Sequence, residues 1–107
     1  MNQIAKTPDP PYYAVVFTSV RTEIDEGYAD TAEKMMALAS NQPGFLGVES
    51  VREEGTLGIT VSYWKDTESI SKWKNQAAHR HAQQFGRAKW YSSYRIRVAK
   101  VDREYGG

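Results

Sequence analysis

From Tyr12 onward the apolar positions change their period five times, and each change marks an element boundary. Tyr12 to Arg21 reads Tyr-Tyr-Ala-Val-Val-Phe-Thr-Ser-Val-Arg, a run of aromatic and β-branched residues that suits a pleated surface. Its length and apolar character predict a central strand, covered on both faces at its start. Tyr13, Val15, Phe17 and Ser19 share one face; Tyr12, Ala14, Val16 and Thr18 share the other. Thr22 to Gly27 reads as a turn whose acidic Glu23, Asp25 and Glu26 favour the helix N-terminus that follows, where free amides carry partial positive charge. Tyr28, Ala32, Met35 and Ala39 form one helical stripe, widened by Met36 and Leu38. This helix is predicted to run to about Asn41 and to stop before Pro43-Gly44. The two methionines read as core filler.

Phe45–Arg52 and Leu57–Trp64 read as a β-hairpin around Glu53-Glu54-Gly55-Thr56. In its second strand Ile59, Val61 and Tyr63 make an apolar face. Gly58, Thr60 and Ser62 make a small polar one that ends at bulky Trp64. Small side chains beside a large aromatic leave room for a cavity. Asp66 or Thr67 suits an N-cap, with Glu68 in the first turn. Ile70, Trp73, Ala77, His81 and Phe85 continue as a helical stripe that Gly86 ends. Trp90 to Val101 alternates again: Tyr94, Ile96 and Val98 on one side, Arg95, Arg97, Ala99 and Val101 on the other. Residues 1–11 hold three of the four prolines and are expected as an irregular arm before a domain spanning 12–107.

The predicted order is strand, helix, strand, strand, helix, strand. This is the α+β, ferredoxin-like βαββαβ arrangement, an antiparallel sheet with two helices on one face. The opposite face is left bare by its own helices while several strands are apolar on both sides. A second copy of the chain is the simplest cover, so a symmetric homodimer is expected.

Composition narrows the function. The 107 residues carry 14 basic and 13 acidic side chains, a formal charge of +1. That balance gives no bulk electrostatic pull toward nucleic acid or membrane. Arg95 and Arg97 lie near aromatics, but no RNP-like pattern accompanies them. They are expected to pair with Glu49, Glu53 or Glu54 across strands or across the dimer. There is no cysteine, hence no disulfide, thiolate metal site or cysteine nucleophile. No apolar run reaches a membrane span and no signal-peptide pattern opens the chain, so a cytoplasmic protein is expected. Neither a phosphate-binding glycine loop nor a G-x-S-x-G elbow is present.

Candidate chemistry gathers between Ser62 and Tyr94, which hold every tryptophan and histidine of the chain. Tyr63, Trp64, Trp73, Trp90 and Tyr94 are the candidate ligand-binding residues. Trp73 is expected in the core, Trp64 and Trp90 at the rim of a cleft. His79 and His81 are the candidate proton carriers, since imidazole titrates near neutral pH. On a helix they lie about 200° apart and cannot share a metal. The helical stripe selects His81 for the interior and turns His79 away, unless the helix breaks near Gln76. A core-edge histidine without chemistry is the alternative for His81. No metal is expected. A lone axial histidine leaves haem open as a cofactor, not a favoured one.

Several of these residues carry a family resemblance. Pro43-Gly44-Phe45-Leu46-Gly47-x-Glu49-Ser50, Ser62-Tyr63-Trp64, Trp73-Lys74, His79 and Gly86-Arg87-x-x-Trp90-Tyr91-x-x-Tyr94 together resemble the antibiotic biosynthesis monooxygenase domain family, closest to a small stand-alone bacterial branch. The resemblance covers nearly all the chain after Pro11. It implies a dimeric α+β barrel of ferredoxin-like subunits. It also implies a cofactor-independent monooxygenase that oxidises a small aromatic, phenolic or quinol-type substrate with O₂. A non-catalytic dimeric binding or stress-response protein on the same fold is the alternative. The haem-degrading branch resembles an Asn near the end of the first strand, a Trp on the second helix and a later His. Trp73 matches the Trp, but Thr18 and Ser19 stand where the Asn belongs and Gln83 where the His does. Haem degradation therefore ranks lower. The stand-alone branch points to His79 where the helical stripe points to His81, and both are kept.

Overall fold

A computed structural model describes residues 3–54, 56–76 and 89–107. The elements are β1 (Tyr12–Arg21), α1 (Tyr28–Ser40), β2 (Phe45–Arg52), β3 (Leu57–Trp64), α2 (Thr67–Asn75) and β4 (Tyr91–Val101). All strand pairs are antiparallel, in the order β2-β3-β1-β4. This is the ferredoxin-like α+β fold expected from the order of elements, with β1 central.

The register lays the helix-side face out in rows. Arg52, Gly58, Ser19 and Tyr94 stand abreast across the four strands. Ser50, Thr60, Phe17 and Ile96 form the next row, then Val48, Ser62, Val15 and Val98. Trp64 closes the sequence opposite Phe45 and Tyr13. The pleat puts Val16, Val51, Ile59, Val61 and Arg97 on the other face.

Glu23, Asp25 and Glu26 lie in the turn before α1, as expected; the helix is capped by Gly27 at φ 77° and carries Asp30 in its first turn. Asp25 is drawn to Arg21 at 2.8 Å. Helix α2 starts as expected, with Asp66 accepting from the Ser69 amide at 2.7 Å. It stops at Asn75, because Gln76 has extended backbone (φ −64°, ψ 129°). The stripe positions Ala77, His81 and Phe85 lie outside the described residues. An inward-facing His81 required one unbroken helix through Gly86, and α2 stops at Asn75.

The N-terminal arm is irregular but tied down. The Ala5 amide donates to Glu49 at 3.0 Å, and Thr7 donates to Glu104 at 2.7 Å. Tyr12, only 5% exposed, donates its hydroxyl to Glu104 as well. Arm and tail thus meet at the start of β1. The expected pairing of Arg95 and Arg97 with Glu49 across strands fails on topology. Strands β4 and β2 are opposite edges of the sheet, roughly 14 Å apart by strand spacing. Glu49 is occupied by Ala5 and by the Tyr63 hydroxyl.

The turn between α1 and β2 is set by Gly44 at φ 86°. A Cβ there would lie 2.0 Å from Ser69 Oγ and 2.6 Å from Ser69 Cβ, so backbone sign and α2 packing both demand glycine. Gly44→Ala is expected to cost at least about 2 kcal/mol, read as a lower urea midpoint. Gly107→Ala, with open space around it, should leave the midpoint unchanged.

Candidate functional site

Two aromatic clusters stand between sheet and helices. Trp64 is fully buried at 0% exposure. It stacks on Trp73 of α2 (6.3 Å between ring centroids, 24° between planes) and takes the Phe45 ring edge-on at 5.4 Å. Its indole donates to Ser62 Oγ at 2.9 Å, so its polar atom is satisfied in the interior. The second cluster joins β1, α1 and the start of β4. The Arg21 guanidinium lies 3.4 Å from the centroid of the Tyr28 ring, and Trp90 meets Tyr28 edge-on at 5.7 Å. The Trp90 indole donates to the Glu26 carbonyl at 3.0 Å, pinning the connection into α1.

Between the clusters the strands present Thr60, Ser62, Val15 and Phe17, too small or too flat to reach the helices. The result is a cavity of about 560 Å³. Helix α1 supplies its roof with Met35 and Met36, and α2 adds Ile70 and Trp73. The methionines therefore wall a cavity rather than fill a core. On the β4 side the lining residues Ile96 and Val98 are 41% and 53% exposed, which sets the mouth along that strand.

Four of the five proposed binding residues line this cavity: Trp64, Trp73, Trp90 and Tyr94. Their roles differ from the sequence reading. Trp64 and Trp90, expected at a rim, are buried, while Trp73, expected in the core, is half-buried. Tyr63 is on the other face of the sheet. It follows strand alternation away from Trp64, donates to Glu49 and meets Tyr12 edge-on at 5.8 Å. His79 and His81 lie outside the described residues.

The polar end of the cavity was missed at the sequence level. Arg52 ends β2 and turns onto the cavity face. It donates from Nη1 to the carbonyls of Thr56 (2.9 Å) and Ser19 (3.3 Å), and from Nη2 to Ser19 Oγ (2.7 Å). Its guanidinium lies over Gly58, where a Cβ would come within 2.4 Å of Cζ. Tyr91 and Tyr28 complete this end, hydroxyl to hydroxyl at 3.5 Å. The available signal was strand parity: Arg52 shares its face with Val48 and Ser50, and the hairpin register sets it beside Gly58.

Burial pushes the Tyr91 phenol well above its ordinary range. The hydrogen bond to Tyr28 adds to the rise, while the Arg52 and Arg21 charges oppose it. Tyr63 is raised too, by desolvation and then by Glu49. Both stay neutral donors at physiological pH. Among the described residues, no group of three or more His, Cys, Asp or Glu could hold a metal, and no helix is long and apolar enough to cross a membrane.

A ferredoxin-like sheet with an aromatic cavity under its helices defines a class of small α+β proteins. The model of the antibiotic biosynthesis monooxygenase family matches residues 11–84, and the chain belongs to that family. It is 57% identical over 104 residues to the uncharacterized protein YqjZ of Bacillus subtilis, covering 97% of this chain and 91% of that one. It is 28% identical over 93 residues to a jasmonate monooxygenase of Pyricularia oryzae; the match covers 83% of this chain and 43% of that protein. Among solved structures it resembles a mutant form of SnoaB, a cofactor-independent oxygenase from Streptomyces nogalater. There the TM-score is 0.75 at 14% identity, over 87% of this chain and 95% of that one. Rv0793 from Mycobacterium tuberculosis gives a TM-score of 0.77 at 7% identity, over 89% and 99%. These structural likenesses concern the fold.

The tyrosine shifts fix a sign. A phenol with a raised pKa in the fold stabilises fully below the unfolded value, about pH 10, and loses that contribution as pH rises further. Urea midpoints are expected to stay level between about pH 8 and 9 and to fall above about pH 10. Tyr91→Phe should make the fall shallower, and Tyr63→Phe shallower again in the double variant.

Proposed function

We propose that this protein is a cofactor-independent monooxygenase that oxidises a small aromatic phenol or quinol with O₂ inside the Trp64–Trp73–Trp90 cavity. The observation that carries this reading is the cavity itself, walled by aromatics and methionines within a chain of the monooxygenase family. About 560 Å³ is in the range of small-molecule sites and would admit a fused-ring substrate.

The substrate is its own electron donor. Removing a proton from a phenol raises its electron density until it can pass an electron to O₂. The radical pair then forms a carbon–oxygen bond. Overall the substrate gains one oxygen atom and loses two hydrogens, and the second oxygen atom leaves as water. No external reductant is consumed. The protein supplies an apolar enclosure that excludes bulk water, and a proton acceptor. His79 or His81 is that acceptor. Neutral Tyr91 donates, and orients a substrate oxygen.

The functional unit is a homodimer. Val51 and Ile59 are 71% and 38% exposed on the face without helices, beside Val16 and Val61. Acidic Glu49 marks one edge of that face and basic Arg95 and Arg97 the other. A two-fold axis through the face would bring opposite charges together while covering the apolar centre.

Oxygen-electrode screening with naphthols and quinols is expected to give uptake above the buffer rate, one O₂ per substrate and no peroxide. His79→Ala and His81→Ala, made separately, should identify the acceptor by a roughly 10²–10⁴-fold loss in kcat in one of them. If uptake stays at background while the same ligands raise Tm, the protein binds without catalysis.

Sedimentation at micromolar concentration is expected to show a dimer, and Ile59→Lys a monomer. A monomeric wild type would remove the case for the covered face.

A further inference from the structure

Arg52 is a cation built into the wall of an otherwise apolar cavity, and nothing in the oxygenase reading uses it. Among the described residues the cavity is lined by Arg52 and Lys74 and by no carboxylate. Lys74 is solvent-exposed on α2, so water screens it. Arg52 is part-buried and held. Three of the five guanidinium N–H groups are accounted for by Ser19 and Thr56, all at neutral acceptors. The edge formed by Nε and the second Nη2 hydrogen has no acceptor among the described residues. Ser19, 1% exposed, fixes the fork from below, and Gly58 gives it a flat bed that any other side chain would fill.

The neighbourhood leaves Arg52 as the cation without an ion pair among the described residues. From α1 comes Tyr28, which carries the Arg21 guanidinium on its ring, but Arg21 is already paired with the exposed Asp25 at 2.8 Å. From β4 come Tyr91, a neutral donor, and Tyr94 in the same row as Arg52. The Arg52 and Arg21 charges both act on the Tyr91 hydroxyl, which places them within electrostatic reach of this end. A cation without a counter-charge in a low-dielectric cavity favours an anion. A guanidinium edge suits an oxygen anion in particular.

We propose that the Arg52 end of the cavity binds the ionised oxygen of an aromatic ligand, so that the substrate is held as its phenolate or enolate rather than as the neutral phenol. This rests on the oxygenase reading for its catalytic meaning: Arg52 would lower the ligand's pKa and so ease the proton loss that O₂ chemistry requires. The binding claim stands apart from turnover. By linkage, tenfold tighter binding of the anion over the neutral form lowers the pKa of the bound phenol by about one unit.

The test uses 4-nitro-1-naphthol, a bicyclic phenol whose anion is coloured, titrated under argon with and without saturating protein. The bound naphthol is expected to ionise about one pH unit below the free one. Arg52→Gln should abolish that shift, and Arg52→Lys should keep part of it, since charge remains while the fork is lost. Lys74→Gln should leave the shift intact. A bound naphthol that ionises at or above the free value in the unaltered protein overturns the inference without any variant. So does an unchanged shift in Arg52→Gln, or no binding at millimolar ligand. If the shift is found but none of the unsubstituted naphthols and quinols supports O₂ uptake, the anion site stands and the oxygenase reading falls. If those naphthols or quinols consume O₂ while the bound nitronaphthol shows no shift, the reverse holds.

Discussion

The structure depends on two aromatic props that hold a helix layer away from its sheet. At one end Phe45 meets Trp64 edge-on and Trp64 stacks on Trp73, joining β2 through β3 to α2. At the other Arg21, Tyr28 and Trp90 lock β1, α1 and the start of β4. Burying a tryptophan such as Trp64 removes roughly 150–250 Å² from water, on the order of 4–6 kcal/mol. That gain is taken at the ends, so the middle need not be filled. Thr60, Ser62 and Val15 stay short between the props, and the unfilled space is the cavity. In most small domains helices pack directly on the sheet; here a cavity of about 560 Å³ stays open between them.

The same sheet serves two surfaces because its pleat separates them. Helix-side positions carry the cavity and its Arg52 row. Positions one residue away carry Val16, Val51, Ile59 and Val61 on the face turned away from α1 and α2. The N-terminal arm lies against part of this second face: Ala5 sits at Gly47 and Glu49, and Gln3 and Ile4 line a shallow depression with Val51, Ile59 and Val61. Tyr63 and Trp64 are neighbours in sequence yet belong to different surfaces, one tied to Glu49 and Tyr12, the other the most buried side chain of the cavity. Their chemistry diverges for that reason: Tyr63 meets a carboxylate, and Trp64 meets rings.

Family membership and geometry speak to different questions. The family model and the likeness to an oxygenase fold describe an architecture that can carry many ligands. The polar end of this cavity is built from three side-chain positions, with Gly58 leaving room for the Arg52 guanidinium and Ser19 accepting its hydrogen bonds. A glycine opposite an arginine on adjacent strands is a local arrangement of three side chains. It is there that selectivity toward a substrate's charge would be set.

The periodicity of the chain was enough for the six elements, their order and the bounds of β1, β2 and β3. Strand alternation is a property of the covalent backbone, and each hydrophobic run was long enough to declare its period. The cavity was legible in outline too, from the small face of β3 running into Trp64. Other features depended on contacts between distant segments. Helix α2 ends at Asn75, although apolar residues continue at helical spacing, and a stripe alone does not say where the backbone turns. Asp25 found Arg21 as its partner, and Arg95 and Arg97 proved to be a sheet's width from Glu49. Arg52 looked like a strand end beside a hairpin loop until cross-strand register set it over Gly58 and against Ser19. The sequence alone settled which residues alternate and which cluster. Only the tertiary structure decided which of them meet, because strand order and helix stand-off are fixed by long-range packing that no local pattern encodes.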